Sequence, residues 1–245
     1  MQDLKNELQE YIDILLNKPE GKIGRDYLVK RKISKNTAIE WEMGYCPVGY
    51  IPTIYTNEKF PFWEKLWGRV IFPIYDSNGN IVSISGRKVV DVPTRAKNPK
   101  YDHYSFNARK ILFGLWKNKE EIFIQNKGII TEGQLDVITA WQHGIKIVTS
   151  SFGAHCGENQ FVLMNRYCDN IILMYDNDDA GYKGTEKAKE IARKNGFNLK
   201  VKCPFPNGVD LDSWLQTHSS KEFFDLLNYN KMSYLQDKLK KMRGD

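Results

Sequence analysis

Cysteine is scarce in this chain, with only Cys46, Cys156, Cys168 and Cys203 among 245 residues. No two of them stand at C-x2-C spacing, so the sequence carries no zinc-ligand pattern. They read as buried neutral thiols in a reducing compartment, where disulfides are not expected. The four histidines, His103, His143, His155 and His218, show no ligand spacing and read as incidental. No apolar run approaches the roughly 20 residues needed to span a bilayer, so no membrane association is expected. The opening MQDLKNELQEYIDILL mixes acids with apolar residues at helical spacing and is no signal peptide, which makes the cytoplasm the expected location. Internal repeats and low-complexity segments are also missing.

Charge is not short, but it is unevenly placed. The net value is +6. Residues 1–117 hold 19 Lys/Arg against 13 Asp/Glu, residues 118–217 hold 11 against 13, and residues 218–245 hold 6 against 4. A basic first half beside a mildly acidic middle suits a polyanion-binding surface next to a cation site.

Apolar spacing predicts a helix over 2–18, a short one over 24–31 and a third capped by Ser34. Residues 70–75 and 81–85 are β-rich runs around Asp76-Ser77-Asn78-Gly79-Asn80, a hairpin signal. Residues 91–110 lack periodicity and read as a loop. Strands are then expected near 128–131, 145–150, 170–175 and 198–203, with helices over 133–142, 157–167 and 180–195. This alternation predicts an α/β fold, a mostly parallel sheet with helices on both faces. A smaller α+β subdomain precedes it, and a helical segment over 219–242 follows. The expected units are 1–117, 118–217 and 218–245.

Three acidic groups fall after predicted strands: Glu132, the pair Asp176 and Asp178, and, beyond the Pro-Phe-Pro-Asn-Gly turn at 204–208, the pair Asp210 and Asp212. The C-terminal strand ends of an open α/β sheet share one edge, so these groups should converge there. Crowded carboxylates repel and raise one another's pKa values. A divalent cation relieves that repulsion, and Mg2+ accepts a few carboxylates with water or phosphate oxygens in its other positions. Taken singly, each group is also an ordinary helix cap or polar loop.

Thr131-Glu132-Gly133-Gln134-Leu135-Asp136-Val137 and Tyr175-Asp176-Asn177-Asp178-Asp179-Ala180-Gly181 resemble the TOPRIM domain of topoisomerases, DnaG-type primases and some nucleases. Asp210-Leu211-Asp212 is similar to a further D-x-D of the primases. Upstream, Gly68-Arg69-Val70-Ile71-Phe72-Pro73-Ile74, Ser85-Gly86-Arg87, Asn98-Pro99-Lys100-Tyr101 and Leu112-Phe113-Gly114-Leu115 resemble the primase N-terminal subdomain. So does Tyr27-Leu28 with Arg31-Lys32-Ile33-Ser34. Where that family has an Asn-Ser-Pro-like stretch, this chain has Asp102-His103-Tyr104-Ser105, and Ala108 stands where a lysine is common.

The resemblance implies short RNA primer synthesis from NTPs on a single-stranded DNA template. It implies Mg2+, with Mn2+ as a substitute and no zinc in this chain, held by Glu132, Asp176, Asp178, Asp210 and Asp212. Glu132, Asp176 and Asp178 are then the catalytic set, and Asp136 is either a residue orienting Glu132 or a dipole-favoured helix residue. A replicative helicase and a zinc-binding module elsewhere are the implied partners. The basic stretch offers Arg87, Lys88, Lys97, Lys100, Arg109 and Lys110, with Arg69, as template or nucleotide contacts, and Tyr101, Tyr104 and Phe106 for stacking. A TOPRIM nuclease or RNA-processing enzyme, or a non-catalytic nucleic-acid-binding module, would share the acidic residues.

Overall fold

The computed structural model describes residues 2–53, 63–92, 98–202, 204–206 and 208–228. Lys97, Cys203 and residues 229–242 of the expected tail helix lie outside the described residues. Helix α1 (Gln2–Asn17) buries Leu8, Tyr11, Ile14 and Leu15, a single stripe at helical spacing. It packs on β1 (Gly44–Cys46), where a Cβ on Gly44 would meet the Tyr11 backbone at 2.7 Å. Helices α2 (Lys22–Lys30) and α3 (Lys35–Glu40) follow α1, and the Ser34 side chain caps α3 by accepting from Thr37 N–H.

The hairpin forms as its sequence predicts. Strands β2 (Arg69–Tyr75) and β3 (Ile81–Lys88) pair antiparallel, and Asp76 Oδ1 accepts from the N–H groups of both Asn78 and Asn80 to close the turn. Residues 91–110 are not wholly a loop. Strand β4 (Tyr101–His103) pairs antiparallel with β3, giving the order β1-β2-β3-β4. Three residues are too few for periodicity to reveal; the partner strand defines them.

Helix α4 (Leu115–Ile124) carries residues 117 and 118 in its interior and leads into the second sheet. There β5 (Lys127–Thr131), β6 (Val148–Ser150), β7 (Asn170–Leu173) and β8 (Asn198–Val201) run parallel in the order β6-β5-β7-β8. Helices α5 (Gln134–Gln142), α6 (Glu158–Asn165) and α7 (Asp179–Asn195) alternate with the strands, and α8 (Leu211–Leu215) and α9 (Ser220–Asn228) follow. The two sheets share one hydrophobic core. Phe113, in the segment between the two sheets, pairs with Ser150 of β6 through reciprocal backbone hydrogen bonds of 2.9 and 3.1 Å. Cys46, Cys156 and Cys168 are buried free thiols, and burial raises each above the usual thiol range, Cys168 to about 11. No helix among the described residues is long and apolar enough to cross a membrane.

Candidate functional site

Neighbouring parallel strands bring the acids together. Glu132 directly follows β5, and Asp176 stands three residues beyond the end of β7, the strand beside it. Asp176 N–H donates to Glu132 Oε1 at 3.0 Å, tying the two loops to each other. Asp178 caps α7 by accepting from Gly181 N–H at 2.8 Å, and Asp210 caps α8 by accepting from Ser213 N–H at 2.8 Å. The helix-cap reading and the convergence therefore hold at once, because capping places a carboxylate at a helix start and the strands aim those starts at one place. Gly181 makes the closest approach possible: a Cβ there would lie 2.1 Å from the Asp176 carbonyl oxygen and 3.0 Å from Glu132 Oε1.

A second tier lies beneath. Asp136, in the first turn of α5, accepts from Gly133 N–H and from Asp212 N–H, each at 3.0 Å. Asp212 is 1% exposed, and both its oxygens are engaged. Thr139 Oγ1 donates to Oδ1 at 2.7 Å and Arg31 Nη1 to Oδ2 at 2.7 Å.

Most of these acids line a cavity of about 320 Å³ between the parallel-sheet and N-terminal halves, whereas Asp178 is not among its lining residues. Glu132, Asp136, Asp176, Asp210 and Asp212 reach it from the parallel-sheet half, and Arg31, Arg87, Lys100 and Tyr101 from the N-terminal half. Burial, with Asp176 and Asp178 adding repulsion, pushes Glu132 up to about 7. Burial likewise raises Asp176, helped by Asp210 and Asp178, while Lys100 pulls in the opposite direction. Asp136 is raised well above the carboxylate range, first by burial and then by Asp210.

Among the described residues, no three His, Cys, Asp or Glu side chains converge closely enough to hold a metal ion as positioned. Mg2+ does not require that, since it binds through one or two carboxylates and keeps water or phosphate oxygens in its other positions. An oxygen-only set of mutually repelling carboxylates fits a hard cation in its chemistry.

The basic residues separate into groups. Arg87 and Lys100 line the cavity, and the Arg87 guanidinium lies 5.0 Å over the Tyr101 ring. Lys88 pairs with exposed Asp91 at 2.7 Å. Arg109 and Lys110 are exposed on a short 3-10 turn outside the cavity lining.

Arg69 is a correction. It is 0% exposed and donates to the carbonyls of Gly86 and Lys100 and to Asn98 Oδ1, so it cannot touch a template. Being on β2, in the middle of the sheet, it turns inward and holds the 98–100 segment against β3. Tyr104 is another: it is 9% exposed, and its hydroxyl donates to buried Glu7 rather than presenting a face for stacking.

Arg31 escaped the sequence reading as a site residue, although it stands in the quoted Tyr27-Leu28…Arg31-Lys32 segment. Its partner, Asp212, is 181 residues away, beyond the reach of any local pattern. His103, read as incidental, lines the cavity, as does Phe152.

With the site described, its relatives can be placed. A Toprim-like family matches residues 129–215, and the DNA primase catalytic core N-terminal domain matches residues 52–119. The chain belongs to the DnaG-type primase family. Among curated DNA primases, that of Borreliella burgdorferi is 31% identical over 81% of this chain and 41% of its own length. That of Enterococcus faecalis is 27% identical over 90% of this chain and 39% of its own length. This member of the DnaG-type family thus spans about two fifths of the curated primases it matches. Among solved structures, a DNA primase domain from Pseudomonas aeruginosa superposes with a TM-score of 0.82, covering 98% of this chain and 82% of that one at 23% identity. The E. coli primase catalytic core gives 0.76 over 92% and 79%, also at 23% identity. The chain thus shares its fold with these primase domains.

Proposed function

We propose that this chain is the catalytic core of a primase, a DNA-directed RNA polymerase that joins NTPs into short primers on single-stranded DNA. The observation that carries this reading is one cavity lined by carboxylates from the parallel sheet and by Arg31, Arg87 and Lys100 from the N-terminal half. A triphosphate with its cation needs both kinds of group. In this assignment residues 118–217 supply the metal site and residues 1–117 bind template and nucleotide.

Glu132, Asp176, Asp178 and Asp210 are the set from which one or two carboxylates would hold Mg2+, or Mn2+ in its place, with water or phosphate oxygens in its other positions. Bound there, the ion would neutralise charge on the attacking 3′-oxygen and on the oxygens of the leaving pyrophosphate. Asp212 and Asp136 position this set from below, because their oxygens are committed to Arg31, Thr139 and backbone N–H groups. Glu132 uses Oε1 to accept from Asp176 N–H, and Oε2 is the atom we assign to take the proton of the attacking 3′-hydroxyl. Arg87 and Lys100 contact the triphosphate or template phosphates; Lys88, Arg109, Lys110 and Lys97 are assigned to the template path.

One structural neighbour is a DnaG primase catalytic domain bound to ssDNA, and another, from Aquifex aeolicus, combines zinc-binding and RNA polymerase domains. These parallels support a single-stranded template and a zinc-binding module as a partner; a replicative helicase is proposed as a further partner from the primase reading alone.

The test is synthesis on a single-stranded template with labelled NTPs and Mg2+. Template-dependent short RNA, lost in Glu132→Gln and Asp176→Asn, is the expected result. A shortened template lost in the same variants would assign a nuclease instead.

A further inference from the structure

Phe152 directly follows Ser151, just past β6, and holds its backbone at φ +64°, a conformation bulky L-residues rarely adopt. Gly153 beside it has φ +125°. The turn is clamped from several sides. Ser151 N–H donates to the Thr131 carbonyl at 3.1 Å, and Gly153 N–H to the Glu132 carbonyl at 2.9 Å. Ser151 Oγ donates to the Gly153 carbonyl at 2.8 Å and lies 2.8 Å from the Tyr175 hydroxyl. The backbone of Glu132 itself therefore sets where the Phe152 ring stands. Strained backbone held this firmly concentrates at functional sites.

The ring belongs to a row that leaves the core and ends in solvent. Phe113 is buried, and its ring lies 6.1 Å from that of Phe152, edge to face. Phe152 lies 5.0 Å from Phe106, and Phe106 lies 4.9 Å from exposed His103. Two members of the row, Phe152 and His103, line the cavity that holds Glu132 and Asp176. Core packing explains Phe113. It does not explain a left-handed backbone at a residue that lines the cavity, nor an exposed ring completing the row.

We propose that Phe152 and His103 form a stacking platform for a nucleobase, an inference that rests on the primase reading of the same cavity. Every base has a π-face, so stacking tolerates all four, which suits a template-directed reaction. The base belongs either to the incoming nucleotide or to the template strand, and the experiment separates these two sources.

Wild type, Phe152→Leu, Phe152→Tyr and His103→Ala are titrated by calorimetry, in Mg2+, with ATP, with inorganic tripolyphosphate and with a single-stranded oligodeoxynucleotide. Phe152→Leu keeps an apolar side chain without the ring, and exposed His103 can be truncated without touching the core. If the platform serves the incoming nucleotide, Phe152→Leu and His103→Ala weaken ATP roughly 5- to 150-fold, the range expected for one stacked base. Tripolyphosphate binding stays unchanged, and Phe152→Tyr restores ATP. The same loss confined to the oligonucleotide assigns the template base. Equal loss of ATP and tripolyphosphate, or no loss of either ATP or oligonucleotide, overturns the platform. If wild type binds the oligonucleotide but neither triphosphate, the primase reading falls while the oligonucleotide titration still decides the platform; binding of nothing overturns both.

Discussion

Arg31 Nη1 donates to Asp212 Oδ2 at 2.7 Å and joins helix α2 to the start of α8 across 181 residues of chain. The Arg31 side chain is 25% exposed and that of Asp212 only 2%, so the pair connects the two halves of the molecule just under the cavity. Removing one partner of such a pair leaves a buried charge uncompensated. Arg31→Ala should destabilise the fold by about 3 kcal/mol. Adding Asp212→Asn in the same chain should recover part of that loss. Urea unfolding of the three proteins checks both statements, and equal stability of the single and double variants would refute the pairing argument.

The acidic cavity should make the metal-free protein less stable as pH rises. Glu132 stands at about 7 in the fold against 4.5 for an unperturbed glutamate. Between those values the folded state binds more protons than the unfolded chain, so stability is greatest near the lower value and is lost by about pH 7. Allowing for solvent screening of a partly exposed group, the change is roughly 1–2 kcal/mol. Asp136 and Asp176 are shifted in the same direction. Thermal unfolding with EDTA should therefore show a falling Tm from pH 5 to 7.5, less so in Glu132→Gln. Added Mg2+ should flatten the curve by binding the charged form.

Gly181→Ala tests the closeness of α7 to the acids. The added Cβ would sit 2.1 Å from the Asp176 carbonyl oxygen, so the start of the helix has to move. A cost of about 1–3 kcal/mol is expected from overpacking. Displacing Asp176 and Asp178 should also cut primer synthesis at least tenfold, because sub-ångström placement governs phosphoryl transfer. Ala at exposed Gly144, where nothing lies within 4 Å but φ is +78°, is the control for backbone strain without crowding.

Arg87 and Arg69 should separate in a salt titration. Arg87 lines the cavity above Tyr101, and Arg87→Ala should weaken single-stranded DNA binding and lower the log–log salt slope by about 0.7, one phosphate contact. Arg69→Ala should leave that slope unchanged while lowering Tm, since Arg69 is sealed against Gly86, Asn98 and Lys100.

Much of this architecture is legible in local sequence. The Asn-Gly turn between two β-rich runs, the strand–helix alternation after residue 121 and the Ser34 cap all appear where local chemistry places them, because each depends on neighbours within a few residues. Strand β4 was invisible for the opposite reason, since pairing with β3 defines it. The site shows the same division. Glu132, Asp176 and Asp210 could be picked out because each follows a strand, and parallel strands end on one side of a sheet. Arg69 could not be placed, since a cation on a strand looks the same whether it faces solvent or carbonyls inside the sheet.

The sequence by itself determined the parallel sheet, the hairpin and the presence of an acidic edge, all set by periodicity and turn chemistry acting over short range. Tertiary structure alone decided that Arg31 neutralises Asp212, that Arg69 is buried, and that Phe152 lines the cavity. Those outcomes depend on which charges and rings meet across the junction of two sheets, and desolvation there selects partners far apart in the chain.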